Sequence, residues 1–292
     1  MGDLNYHQRS GRMGPLAVPL LLIAALGTGL LLGVPYGYAD HYCPLLYFSF
    51  IITIVYGTAV GLAVNYAGIA GKVRNVPVLL FAATLAAAIA DYVGWVGYIH
   101  AVSTDGAWAW SPDELLSWIQ QIAEKGLWSI HGSTPTGIAL YGIWAAEFGI
   151  IAAMAIYIVR TEVGTLPFNE RTGTWAKTKA TYGPFAPGLP QADLVSRLEH
   201  GDTALVSGLV SASSADAAYH EYVVRSCPED EDFATLSVTL VTKTTGKNGK
   251  VETKKRALIK HLLIGPTLRK AFVERDQRRP APAAPPVAPT PA

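Results

Sequence analysis

Asp91 and Glu147 are the two residues whose surroundings demand most of them. Each lies inside a long apolar segment, 76–99 and 136–159, that holds no other charge. An ionised carboxylate in hydrocarbon is costly, and no Lys or Arg lies in any of the four such segments of the chain to pair with one. Counting about 1.5 Å per residue from the end of each segment nearest the basic loops, both acids sit roughly 20 Å along. Thr28 of segment 16–36 and Tyr56 of segment 44–68 fall near the same level, so all four segments supply one polar layer. Two carboxyls sharing a proton suit proton transfer or cation binding. The plainer alternative is a protonated acid hydrogen-bonded to Tyr56 or Thr28 as packing glue.

A second group is chemically capable of holding a metal. His41, His100 and His131 come from separate places in the sequence but all map to segment ends on one side, with Asp40 and Cys43 beside the first. Imidazole, thiolate and carboxylate together bind Zn²⁺ or copper, or ligate a haem. No pair has the short spacing of a metal-ligand motif, and histidines at such ends commonly sit among interfacial aromatics. A third group, Lys250, Lys254, Lys255, Arg256 and Lys260, is a basic run suited to anionic lipid headgroups; a solvated strand face is the alternative. Nothing resembles a phosphate loop, a nucleophile elbow, a His-Glu-x-x-His pair or a kinase signature, so neither catalysis nor a cofactor is expected.

The elements that position these residues are four segments of about 20 residues or more, the length an α-helix needs to cross hydrocarbon. In lipid the backbone must satisfy its own hydrogen bonds, so these stretches are expected as helices. Arg9 and Arg12 precede the first, Lys72 and Arg74 lie between the second and third, and Arg160 follows the fourth, whereas 40–43 and 103–135 hold only Lys125. Cations remain on the cytoplasmic side, so both termini are expected there. The first segment has a basic flank but is long for a signal core and lacks a small-x-small cleavage site, so it is expected to stay. Cys43 and Cys227 then lie on opposite sides and form no disulfide. Within the outer loop, Ser111-Pro112-Asp113-Glu114 reads as a capping box opening an amphipathic helix over 112–125, ended by Gly126. Trp108, Trp110, Trp118 and Trp128 in the same loop favour an interfacial anchor, or a lid over the bundle.

Residues 1–160 thus read as the membrane domain and 161–190, rich in Gly, Pro and Thr, as a linker. Residues 191–277 read as a small α+β domain: short helices over 191–211, with Leu194, Leu198, Leu205 and Leu209 facing a core, strands at 219–227, 233–244 and 251–264, and a closing helix over 266–276. Leu236, Val238 and Leu240 alternate with Thr235, Ser237 and Thr239 at strand period, and Asn248-Gly249 is a hairpin signal. The Pro/Ala tail, 278–292, cannot bury a core. A net charge of +1 gives no case for nucleic acid as a partner. Gly29, Gly33 and Gly37, and Gly57 with Gly61, are spaced for close helix packing within the chain rather than for a dimer seam.

Several landmarks resemble a group of bacterial polytopic membrane proteins of unassigned function. They are Ser10-Gly11, Gly71-Lys72-Val73-Arg74-Asn75, Gly126-Leu127-Trp128 followed by Gly132, Trp144-x-x-Glu147, and Pro167-Phe168-x-Glu170. The resemblance implies four helices and a cytoplasmic domain, and no activity. The expected whole is an α-helical membrane bundle of four transmembrane helices plus a small C-terminal α+β cytoplasmic domain. Its setting is a bacterial inner membrane, and its partners are the lipid bilayer and a second copy or another membrane protein. The leading functional expectation is a non-enzymatic anchor or scaffold presenting an interaction domain. The alternatives are a small proton- or cation-coupled transporter or channel subunit using Asp91 and Glu147, and a metal or haem protein using the histidines.

Overall fold

The computed structural model describes residues 5–43, 46–126, 134–245 and 250–278. The chain divides into two compact units, Arg9–Leu166 and a second built from the residues up to Gln8 with those from Pro167 onward.

The first unit is a helical bundle. Among the described residues four helices are long and apolar enough to cross a membrane: Ala17–Tyr42, Phe48–Ala70, Val76–Val102 and Ile138–Thr165. The first is α1 (Ala17–Thr28) and α2 (Val34–Tyr42) joined through a π-helical turn, Gly29–Gly33. Pro35 has no N–H to bond back into that turn, the local cause of the widened helix. It is followed by α3 (Leu46–Ala70), α4 (Val76–Val102), α5 (Pro112–Lys125) and α6 (Ile138–Thr161). Ile23, Leu31 and Phe81 remain exposed although apolar, the pattern of helices whose outward faces hydrocarbon covers.

Small residues set how closely these helices approach. A Cβ at Gly37 would lie 2.2 Å from the Gly94 carbonyl oxygen, and one at Gly97 would lie 2.7 Å from Val34 Cα, so α2 and α4 meet backbone to backbone. Gly57 and Gly61 do the same for α3 against Ile151 and Ala155 of α6. Both glycine series thus pack within the chain. Asn65, buried in α3, accepts a hydrogen bond from the Val163 amide at 3.0 Å, and Arg9 donates to the carbonyls of Val163 and Leu166 at 2.7 and 2.9 Å. The expected loop helix is present as α5: Ser111 accepts from the Glu114 amide at 3.3 Å, and Gly126 ends it at φ +71°. Leu115 packs with Val96, Ile99 and Ala109, so the helix folds back on the end of α4.

The second unit is an antiparallel sheet with helices on one face. A two-stranded hairpin, β1 (Phe168–Asn169) and β2 (Thr174–Trp175), precedes a sheet in the order β3 (Thr178–Phe185), β4 (Ala218–Cys227), β5 (Asp230–Thr245), β6 (Val251–Ile264). Helices α7 (Gln191–Glu199), α8 (Thr203–Ser207) and α9 (Pro266–Gln277) bury Leu194, Leu198, Leu205, Leu268 and Phe272 against Tyr222, Leu236, Val238 and Leu262 of the strands. Two segments are placed differently from their sequence reading. Part of the stretch read as a linker is a full strand, β3, whose Tyr182 and Phe185 enter the core. The N-terminal residues, read with the membrane domain, also belong to this unit: Tyr6 bridges Leu262 on β6, and its hydroxyl donates to Glu199 at 2.6 Å. The edge of β6 offers unpaired backbone groups, and residues 5–7 satisfy two of them, the Leu263 amide and the His261 carbonyl. The Asn-Gly turn and the tail from 279 onward lie outside the described residues.

Asp230, which opens β5, ties the hairpin to the sheet. Its carboxylate accepts from Arg171 through Nη2 and through Nε at 3.0 Å, from Asn169 at 2.5 Å and from the Asp232 amide at 3.1 Å. The Arg171 guanidinium, then Asn169, holds this carboxyl below the usual carboxylate range. A group depressed in the folded state adds stability above its unfolded value of about 3.9 and loses it as pH falls through the folded value. Asp230→Asn is therefore expected to lower the thermal midpoint at neutral pH and to flatten its fall below about pH 4. Melting curves of both proteins across acid buffers check this, and parallel curves contradict it.

Candidate functional site

Helical spacing brings one face of each of three helices to a common cavity. Tyr36 and Asp40 lie four residues apart on α2, Asp91 and Trp95 four apart on α4 with Tyr98 beyond them, and Trp144 and Glu147 three apart on α6. They enclose a cavity of about 40 Å³, enough for one or two waters. Trp95 and Trp144 meet edge to face with ring centres 4.9 Å apart and form its aromatic wall. Three carboxyl groups thus line a small space that no Lys or Arg lines.

A run of hydroxyls on α3 connects two of the three. Tyr36 contacts Glu147 through its hydroxyl, Tyr36 and Thr53 hydroxyls lie 3.1 Å apart, and Thr53 donates to the Ser49 carbonyl at 2.9 Å. The Ser49 side chain in turn donates to Asp40. Ser49 and Thr53 share one face of α3, four residues apart. From Glu147 to the Ser49 carbonyl there are three contacts and only two hydroxyl hydrogens to fill them. With Tyr36 donating to Glu147 and Thr53 to Ser49, the contact between Tyr36 and Thr53 has no hydrogen. A proton on Glu147 supplies it: Glu147 then donates to Tyr36, Tyr36 to Thr53 and Thr53 to Ser49. Asp91 receives no hydrogen bond from the described residues and faces the cavity alone.

The expected polar layer is brought together in part. Asp91 and Glu147 share the cavity, as the depth count anticipates. Tyr56 stands behind it, its ring stacked on Tyr36 at 4.2 Å and its hydroxyl donating to the Ala90 carbonyl at 2.9 Å. Thr28 turns to its own helix, donating to Ala24 at 2.7 Å, and takes no part. Neither Tyr56 nor Thr28 bonds an acid, so neither supplies the glue of the alternative reading. Tyr36, Ser49 and Thr53 carry no mark in the sequence that sets them apart, and Asp40 stands there beside His41.

Those histidines are occupied with aromatics. His41 packs edge to face on Tyr42 and Tyr98 at 4.7 and 5.7 Å. His100 stacks on Trp108 at 3.8 Å, and its Nδ1 lies 3.0 Å from the Gly106 carbonyl. His131 lies outside the described residues. Among the described residues no three His, Cys, Asp or Glu side chains, Cys43 included, are grouped to hold a metal.

The basic residues Lys250, Lys254, Lys255, Arg256 and Lys260 are all exposed. Strand alternation sends Lys255 and its neighbours Lys254 and Arg256 to opposite faces of β6. Lys255 pairs with Glu221 at 3.3 Å, while Arg256 donates to Gln191 at 2.6 Å. The run is not a single basic surface. Comparison of the chain with protein-family models, with curated proteins and with solved structures returns no match.

Proposed function

We propose that this is an integral membrane protein whose bundle takes up and passes protons at the cavity between Asp40, Asp91 and Glu147, as a small proton-coupled transporter or channel subunit. The observation that carries this reading is the run of contacts Glu147–Tyr36–Thr53–Ser49, all three of which are filled by hydrogens together only when Glu147 carries a proton. Asp91, facing the same cavity without a protein partner, is the second proton acceptor. The cavity has room for the water through which protons reach it. The test is acid-driven proton entry into proteoliposomes holding a trapped pH dye. Entry above that of protein-free vesicles, lost in Tyr36→Phe, supports the reading; equal entry with and without protein contradicts it.

The setting is a bacterial inner membrane with both termini and the sheet unit in the cytoplasm, supported by the cation asymmetry of the connecting segments. Cys227 is 1% exposed, so its silence toward a label says little about sidedness. In a cysteine-free background, a membrane-impermeant maleimide is expected to label Asp105→Cys in intact cells and Lys260→Cys only after permeabilisation. Labelling of Lys260→Cys in intact cells contradicts the orientation.

A second reading, an anchor presenting the sheet unit to a partner, is favoured by one observation: that unit has a core of its own, with Tyr222, Leu236 and Phe272 almost wholly buried. Under this reading the acids are packing elements, and the proteoliposomes stay silent.

A further inference from the structure

The inward face of α3 changes character halfway along. Ser49, Thr53, Tyr56, Val60 and Val64 recur at three- and four-residue spacing, so one stripe of the helix carries hydroxyls beside the cavity and only valines beyond Tyr56. Tyr56 marks the change. Its ring is stacked on Tyr36, and its hydrogen is spent on the Ala90 carbonyl of α4 at 2.9 Å. It hands no hydrogen on toward the end of the bundle that carries Lys72 and Arg74.

The neighbouring helices are apolar over the same stretch. From Tyr56 to Asn65, about 13 Å along α3 at about 1.5 Å per residue, Val60 and Val64 are 0% exposed. So are Ala83 and Ala87, which follow Ala90 toward the same end on α4, and Ile151 and Ala155 on α6. The helices also close on one another here. A Cβ at Gly57 would lie 2.8 Å from Ile151 Cα and one at Gly61 2.8 Å from Ala155 Cα, which leaves no gap for water between α3 and α6. Among the described residues no polar side chain is buried in this layer. Thr58 and Thr84 donate to carbonyls of their own helices, Ile54 at 2.7 Å and Leu80 at 3.0 Å. Asn65, 5% exposed, is the first buried polar side chain of α3 beyond the layer.

A proton moves along water or along hydrogen-bonding groups, and a close-packed apolar layer supplies neither. We infer that Val60, Val64, Ala83, Ala87, Ile151 and Ala155 form a dry barrier on one side of the cavity, which a proton passes only when the helices part. The protein is then a carrier that changes shape in each cycle and not an open channel. This rests on the proton-moving reading of the cavity and selects between its two forms.

The test extends the hydroxyl stripe through the barrier with the double variant Val60→Thr/Val64→Thr. Threonine keeps the shape of valine, and in a helix its hydroxyl donates to the carbonyl four residues back, as Thr58 and Thr84 already do, so the fold is kept. Ala87→Ser places a hydroxyl in the same layer from α4 and serves as the second variant. Val55→Thr, at a position 62% exposed, is the control. Acid-driven entry into proteoliposomes holding a trapped pH dye is expected to rise about tenfold or more in the double variant and to rise in Ala87→Ser. It is expected to stay at the wild-type rate in Val55→Thr. Adding Asp91→Asn and Glu147→Gln to the double variant is expected to abolish the gain. Equal entry in wild type and both barrier variants overturns the inference and leaves the proton-moving reading standing. No entry in any of them overturns both. A silent wild type with conducting barrier variants keeps the barrier and removes only the proposed activity.

Discussion

Replacing Asp91 by Asn and Glu147 by Gln together is expected to bring proton entry into proteoliposomes down to the level of protein-free vesicles, while the protein still inserts and folds. Each amide keeps the shape and a hydrogen-bonding group at its position and cannot exchange a proton. The Glu147→Gln amide also carries an N–H that can donate to Tyr36 permanently, so the run through Thr53 to Ser49 is held in its completed arrangement. Its thermal midpoint in detergent should therefore equal or exceed that of the parent protein. A double variant that conducts normally would remove the carboxyls from the mechanism. One that fails to fold would make them structural.

The largest effect on stability is expected from filling the seam between α2 and α4. A Cβ at Gly97 meets Val34 Cα at 2.7 Å and its carbonyl oxygen at the same distance, and neither can move without moving the helix. Overpacking of this kind costs about 1–3 kcal/mol for a small group and more for a large one. Gly97→Ala should lower the thermal midpoint clearly, and Gly97→Leu should leave little folded protein in a size-exclusion profile. Gly142 on α6 is the control, because a Cβ there meets nothing within 4 Å. Equal midpoints for Gly97→Ala and Gly142→Ala would show that the helices are not packed as described. Because α2 carries Asp40 and Tyr36 while α4 carries Asp91, the same substitution also disturbs the cavity.

Hydropathy located the four long helices, and helical counting brought Asp91 and Glu147 to one level, because length and period are local properties of the chain. The apolar run of the first helix ends at Tyr36, where polar residues begin. The helix continues to Tyr42, and that extra turn and a half carries Asp40 into the bundle. Apolar content stops at a polar residue; a helix does not. Tyr36 and Asp40 were legible as a pair four residues apart once the helix was known to continue, but the hydroxyl run through Ser49 and Thr53 depends on which face α3 turns inward. In the sheet unit, alternation marks β5, and strand-like runs on either side of it mark β4 and β6. Strand β3 is hidden by Gly183 and Pro184, and the bridge at Tyr6 by the distance in sequence to its partner Leu262. The alternation of β4 put His220 and Tyr222 on the core face, yet only the helices packed opposite decide whether their polar atoms find partners.

Infrared absorption of protonated carboxyl groups in the purified, lipid-reconstituted protein tests the central claim most directly. As the buffer is stepped from alkaline to acid, a carboxyl band assigned to the bundle should grow, shrink in Glu147→Gln, and shift in Tyr36→Phe because its hydrogen-bond partner is gone. A band that does not change with pH, or that is the same in wild type and Glu147→Gln, would contradict proton uptake at this cavity.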